Sequence, residues 1–351
     1  MQEVFFSFLK LFFVLKGRTL DRAPKRILIM RIGGVGDVLM STPLIRNVRR
    51  YFPGARIDYL VGDWAKIALK GNPDVDRVIA YDESMMFKKD IGRILRLRKE
   101  LKRNQYNLCF ILDKHWFFNL FAFSLGIPFR AGFDRDGEGF CNNVNVKYTG
   151  EKYELEYYLD LLKRMNIDTD WKEMVISDGD TRYTKKLMQR KTITLVPGGA
   201  KNPGHTFFAK RWPKEHYVDL GKELVKRSYT VLVVGALSDA HLCKEIVKDI
   251  GSKKVVDLSG ISFEKQIAVF KKSTYVVTHD SGPMHIAAAS GAHVVALFGP
   301  TDPERFAPRK ALVITKKSDD KICYDRFGRF QKGCDHYMAQ ITVEDVLKVI
   351  L

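Results

Sequence analysis

Short apolar runs alternate along this chain with stretches whose apolar residues recur at helical spacing. Residues 26–30 (RILIM), 56–61 (RIDYLV), 78–81 and 107–112 (NLCFIL) read as strands. The first strand breaks into the glycine loop 33–37, a helix is expected from there to about 51, and a basic helix is expected over 88–104, before the fourth strand. The alternation restarts at 192. Strands are expected at 192–196 (TITLV), 229–234 (YTVLVV), 254–257, 275–278 and 293–298, with helices near 216–227, 239–250, 263–272 and 283–290. A last helix, N-capped by Thr342, runs to the end. Continuous apolar strands separated by helix-length segments mean βαβ units and parallel sheets covered on both faces. The class is therefore α/β: two successive doubly wound, Rossmann-like halves facing a cleft. Their expected limits are 25–180 and 181–351, joined through the polar stretch 171–183. In such sheets ligands bind beyond the carboxyl ends of the strands, so the chemistry is sought in the loops there.

Residues 1–24 form a separate segment. Within it, 4–15 (VFFSFLKLFFVL) is apolar except for Ser7 and Lys10. As a helix it would span about 18 Å, short of the roughly 30 Å hydrocarbon core. Lys16, Arg18 and Arg22 follow it, without a small-residue cleavage site, which speaks against a signal peptide. Two readings stand side by side: an in-plane helix at a membrane interface, or a helix docked on the protein's own surface.

Composition narrows the class. A chain of 351 residues, 46% hydrophobic and 28% charged, suits about two globular domains and excludes disorder or a multi-span membrane protein. The net charge of +18 asks for an anionic partner. It is uneven: 22 basic against 11 acidic residues in 1–110, 8 against 13 in 111–180, and 29 against 17 in 181–351. Two basic regions around an acidic one fit two anion-facing surfaces better than a uniform nucleic-acid binder, and no nucleic-acid motif is present. Cys109, Cys141, Cys243, Cys323 and Cys334 are odd in number and irregularly spaced, with no CxxC and no zinc-ligand pattern. They read as unpaired thiols in a reducing cytosol, with a redox or metal pair as the alternative at Cys323 and Cys334, which bracket a short basic loop.

Three loops at strand ends carry candidate chemistry. In the first, residues 31–43, Gly33, Gly34 and Gly36 permit close backbone approach to a ligand at a helix start. The dinucleotide fingerprint fails there, because Leu39 stands where the third glycine is needed and Asp58 falls inside the next strand. That argues against a nicotinamide oxidoreductase. Asp37 can cap the following helix or act as a general base; the glycines favour the second role, since a cap does not require them. In the second loop, Gly198 and Gly199 precede Lys210 and Arg211, with Pro213 placed to open a helix at its first position. This is a diphosphate site of charge plus backbone donors, or a solvated basic pair beside a turn. In the third loop, Ser281 and Gly282 set a hydroxyl and an N–H at a helix start, and Asp280 is placed for sugar hydroxyls. His279 and His285 read as structural. No nucleophile elbow appears.

The segments RIGGVGDVLMSTPLIRNVRRYFPGARIDYLV (31–61), PGGA (197–200) with AKRWPKEHY (209–217), and THDSGPMHIAAASGAHVVALFGPTDPERFAP (278–308) resemble the ADP-heptose:lipopolysaccharide heptosyltransferases, glycosyltransferase family 9. The likeness runs in order from about residue 25 to 351. It implies a GT-B fold, with an acceptor-binding first domain and a nucleotide-sugar-binding second domain. It also implies inverting heptose transfer to the lipopolysaccharide inner core without an obligatory metal or other cofactor. By the match, Asp37 is the general base, in a loop whose Gly33, Gly34 and Gly36 lie on the acceptor side; Lys114 and His115, just after the strand ending at Asp113, are placed to touch the acceptor. Lys210, Ser281, Gly282, Gly198 and Gly199 meet the donor diphosphate. Asp280 and Asp239 meet the donor sugar and ribose, although Leu237 stands at the more usual acidic position and His279 where Asn is frequent. The implied partners are a nucleotide sugar and an anionic glycolipid, at the cytoplasmic face of the inner membrane. Lys88, Lys89, Arg93, Arg96, Lys99, Lys102 and Arg103 are placed to meet headgroups, or form a solvated helix face. The competing expectation is a GT-B transferase with another nucleotide sugar or surface-polymer acceptor.

Overall fold

The computed structural model describes residues 23–88, 90–187, 191–202, 205–317 and 323–351. The apolar stretch 4–15 and Lys89 lie outside the described residues. The chain divides between Val175 and Ile176 into two compact units.

The first unit is built on β1 (Arg26–Arg31), β2 (Arg56–Gly62), β3 (Arg77–Tyr81), β4 (Leu108–Ile111), β5 (Phe129–Asp134) and β6 (Val144–Lys147). All neighbours pair in parallel, in the order β3-β2-β1-β4-β5-β6. The continuous apolar runs of β1 and β4 are buried because helices cover the sheet. Its helices of eight residues or more are α1 (Val35–Tyr51), α2 (Ile91–Lys102), α3 (Trp116–Ser124) and α4 (Glu154–Arg164). Helix α1 continues through Pro43, which has no N–H for the Leu39 carbonyl four residues back. Thr42 Oγ1 donates to that carbonyl instead, at 2.6 Å. Asp58, on β2, is buried between Arg56 Nε (2.9 Å) and the Tyr106 hydroxyl (2.8 Å), so its role is in the core.

The second unit repeats the plan with β7 (Thr192–Val196), β8 (Thr230–Val233), β9 (Val255–Asp257), β10 (Tyr275–His279), β11 (Val294–Phe298) and β12 (Leu312–Thr315). These strands are parallel in the order β9-β8-β7-β10-β11-β12. Its helices of eight residues or more are α5 (Lys214–Lys226), α6 (Ala240–Ile250), α7 (Phe263–Lys272), α8 (Gly282–Ala289) and α9 (Val343–Ile350). Thr342 caps α9 as expected, accepting from the Asp345 N–H at 3.2 Å. Pro213 sits one position earlier than expected, as the N-cap of α5.

Both sheets run 3-2-1-4-5-6 by order within their own unit. The order reverses between the first and fourth strands, and a crevice opens at the carboxyl ends there. The loops after β1 and β4, and after β7 and β10, hold nearly all the candidate residues.

One cysteine expectation is corrected. Cys323 and Cys334 form a disulfide, with Cα atoms 5.8 Å apart. Tyr324 and Phe330 make an antiparallel bridge that folds the intervening residues back and brings the two thiols together. Cys109, Cys141 and Cys243 are free and buried. With a disulfide present, cysteine usage no longer argues for a reducing compartment.

Candidate functional site

In the first unit, β1 ends on Arg31 and α1 begins at Val35, which puts Asp37 in the first helical turn. Asp37 does cap: its Oδ2 accepts the Gly34 N–H at 2.9 Å. Its Oδ1 pairs with Arg31 Nη2 at 2.9 Å, and 28% of the side chain remains exposed. Capping therefore does not exhaust the carboxylate. Arg31 is held from its other side by Asp113, Nη1 to Oδ1 at 2.6 Å. Asp113 Oδ2 in turn accepts the Ile32 N–H at 2.9 Å. Gly33 gives this pair its room: a Cβ there would stand 2.5 Å from Asp37 Oδ2 and 2.8 Å from Arg31 Cζ and would displace them. Gly34 is the N-cap and Gly36 is buried in α1.

Burial pushes the Asp37 carboxyl up, but Arg31 and Lys114 outweigh it and hold the group below its ordinary range. For the deeper Asp113, burial outweighs Arg31 and the net direction is upward. Lys114 is caged: its Nζ lies 2.6 Å from Glu154 Oε2 and 4.7 Å from the Tyr148 ring centre. Burial pulls its pKa down against the pull of Glu154. Its charge is thus already committed within the unit. His115 is exposed at the N-cap of α3, where its Nδ1 accepts the Phe117 N–H at 3.2 Å. Burial lowers its pKa, against the influence of Glu138, so it is neutral at pH 7.

In the second unit, Gly198 and Gly199 follow β7. Gly199 has φ +90°, and a Cβ on it would meet Ser281 Oγ at 3.2 Å, so this turn abuts the loop after β10. Asp239, expected on the donor ribose, is held within the unit by three partners. Its side chain is only 4% exposed, with Arg211 Nη2 at 3.1 Å and Lys201 Nζ at 3.2 Å. It also accepts the Gly199 N–H at 3.1 Å. Arg211 donates to the Gly199 carbonyl through Nε (3.1 Å) and Nη2 (2.7 Å), so it braces the glycine turn.

Lys210 Nζ pairs with Asp280 Oδ2 at 2.8 Å, its side chain 13% exposed. The rings of Tyr324 (5.0 Å), Phe207 (5.3 Å) and Phe306 (5.8 Å) surround the ammonium. Burial pushes Asp280 up, but Lys210 outweighs it and the net direction is downward. Ser281 is the N-cap of α8 without capping it: its Oγ donates to the His279 carbonyl at 3.1 Å. His279 is fully buried with its Nδ1 3.3 Å from the Tyr217 hydroxyl, and burial lowers its pKa to about 3. It is therefore neutral and structural.

The structure brings Gly33, Gly34, Asp37 and Lys114 together in one unit. In the other it brings together Gly198, Gly199, Lys210, Asp280, Ser281 and Gly282. Sequence reasoning assigns no role to Arg31, Asp113 or Glu154, and it groups Arg211 with Lys210 at the diphosphate, whereas here Arg211 braces the glycine turn. Arg31 stands at the head of the glycine loop and was legible as a residue, but its pairing with Asp113 spans 82 positions. Among the described residues, no group of three or more His, Cys, Asp or Glu could hold a metal ion.

Residues 94–332 match the family model described as glycosyltransferase family 9 (heptosyltransferase). Lipopolysaccharide heptosyltransferase 2 of Escherichia coli K12 is 29% identical over 345 residues, covering 92% of this chain and 97% of that protein. Lipooligosaccharide heptosyltransferase 2 of Haemophilus influenzae is 27% identical, with the same coverage. Among solved structures, E. coli ADP-heptose lipopolysaccharide heptosyltransferase II superposes with a TM-score of 0.71 at 26% identity, covering 92% of this chain and 96% of that one. A family 9 glycosyltransferase from Veillonella parvula shares the fold, with a TM-score of 0.74 at 19% identity over 92% of this chain and 95% of that one.

Proposed function

Because the chain belongs to glycosyltransferase family 9, the heptosyltransferases, and is a glycosyltransferase of the GT-B type, we propose that it moves a heptose from ADP-heptose to a lipopolysaccharide inner-core acceptor with inversion. The observation that carries this reading is the second-unit cluster. A lysine, a glycine turn and the N-terminus of α8 converge there, the combination a leaving diphosphate needs. The first unit adds an ionised, partly exposed carboxylate at a helix start.

In the proposed reaction, Asp37 takes the proton of the acceptor hydroxyl as its oxygen bonds to the anomeric carbon. The bond from that carbon to the phosphate oxygen breaks, and ADP leaves with the electron pair. Lys210 and the α8 N-terminus stabilise the charge that develops on the diphosphate. Lys210 must then exchange part of its pairing with Asp280 for the diphosphate. Asp280, so released, is positioned to accept hydroxyls of the transferred sugar. The relatives' printed names support the donor and acceptor classes. We assign no metal to the reaction, since side chains supply the positive charge. Thermal shift against ADP-, UDP- and GDP-sugars tests the donor: stabilisation by ADP-heptose, undiminished by EDTA, is expected. A preference for UDP- or GDP-sugars would favour the alternative GT-B reading.

With this acceptor class the proposed place of action is the cytoplasmic membrane surface, and α2 is the element that suits it. Ile91 (69% exposed) and Leu95 (55%) lie one turn apart, in line with exposed Lys99 a further turn on, and Arg96 is exposed beside them. Lys88, Lys102 and Arg103 are exposed nearby, whereas Arg93 is committed to Asp82 (2.7 Å) and Asp90 (2.8 Å). No helix among the described residues is long and apolar enough to cross a membrane. The full chain should co-sediment with vesicles containing phosphatidylglycerol. Replacing Arg96, Lys99, Lys102 and Arg103 by Glu should abolish this at 0.1 M salt, where exposed charges still act over about 10 Å. Retained binding would remove α2 from the contact, and loss only on deleting residues 1–20 would give that role to the N-terminal segment.

A further inference from the structure

We infer that Arg31 and Asp113 form a positioning pair for the base, in which Arg31 fixes Asp37 in its reactive orientation and Asp113 keeps Arg31 from holding that carboxylate too tightly. This rests on the reading of Asp37 as the base.

The geometry leaves little freedom. Asp37 is held at both oxygens, by Arg31 Nη2 and by the Gly34 N–H, each at 2.9 Å. Gly33 leaves room for the two side chains to lie over its Cα. Arg31 is held by Asp113 at 2.6 Å, and Asp113 by the Ile32 N–H at 2.9 Å. The chain of contacts thus returns to the backbone of the same loop, and the carboxylate is set before any acceptor arrives.

The charges follow a specific logic. A buried guanidinium facing Asp37 alone would stabilise the carboxylate and weaken it as a base. Protonating Asp37 would then also leave a buried, uncompensated cation. Asp113 supplies Arg31 with a counter-ion of its own, so Asp37 can take a proton without stranding it. Among the other groups facing Asp37, Lys114 is paired with Glu154 and still lowers the pKa of Asp37, a contribution that stays in place in every Arg31 and Asp113 variant. The Tyr59 and Tyr158 hydroxyls, from β2 and α4, are held protonated by burial.

The two members therefore act on Asp37 with opposite sign, which a merely structural role would not produce. The test is the pH dependence of kcat with saturating ADP-heptose and a deacylated inner-core acceptor. Arg31→Met should move the acid limb up by about 1–3 pH units, the usual effect of an opposite charge at this range. Asp113→Asn should move it down and lower the plateau. Arg31→Lys, which keeps the charge but loses the fork, should lower the plateau with little movement of the limb. Added guanidinium should restore part of the turnover of Arg31→Ala. Limbs unmoved in Arg31→Met and Asp113→Asn, or moved in the same direction, would overturn the inference. Should Arg31→Met fail to fold, the Asp113→Asn limb and the Arg31→Lys plateau decide. The underlying reading fails separately, if Asp37→Asn retains turnover or the unaltered protein transfers no heptose.

Discussion

Replacing Asp37 with Asn is expected to cut turnover by about 10²- to 10⁴-fold, the range supplied by a positioned general base, while ADP affinity stays unchanged. The substitution keeps the size of the side chain. Its one acceptor oxygen can still take the Gly34 N–H, so the α1 cap survives in part. What is lost is the proton acceptor and the ion pair with Arg31. Arg31 retains Asp113 as counter-ion, so the loop should hold its shape. ADP titration and thermal melting of the variant separate the outcomes. Loss of ADP binding together with turnover would mean that the change damages the protein generally. Full turnover would place the base elsewhere.

Lys210→Ala should weaken donor binding by about 1.5–3 kcal/mol, the scale of a hydrogen bond to a charged group. At 1.4 kcal/mol per tenfold, that is roughly a 10- to 150-fold rise in Kd. A second effect adds to it. Lys210 is the partner of Asp280, and without it the buried carboxylate faces the incoming diphosphate unneutralised. Lys210→Ala combined with Asp280→Asn should therefore bind ADP better than Lys210→Ala alone, and the double-mutant cycle measures the coupling. Unchanged affinity in the single variant would take Lys210 out of the donor site.

Much of the fold was legible because the central strands are continuous apolar runs that only a doubly covered parallel sheet explains. Strands β5, β6 and β12 were not. Arg130 and Gly132 interrupt the apolar pattern of β5, and β6 and β12 are short edge strands with partly or fully exposed residues. The candidate site divides along a similar line. Glycines beside Asp37, and the Lys210 and Ser281 loops, stand out locally because each sits at a strand end. Contacts closed by the tertiary structure do not stand out. The pairing of Arg31 with Asp113, and of Asp239 with Arg211 and Gly199, joins residues far apart in the chain. The place of Asp239 after a strand suits a ribose, whereas its hold on the glycine turn through Gly199 and Arg211 is closed only by the tertiary structure. The Cys323–Cys334 bond likewise depends on a hairpin that leaves no apolar alternation to read.

The most direct test is to incubate the full chain with ADP-heptose and deacylated inner-core acceptor, then follow the products by mass spectrometry and by NMR of the anomeric signal. The account predicts one ADP released per heptose added, an acceptor heavier by one heptose residue, and a new linkage of anomeric configuration opposite to the donor's. Retained configuration, or ADP-heptose left intact while another nucleotide sugar is consumed, would contradict it.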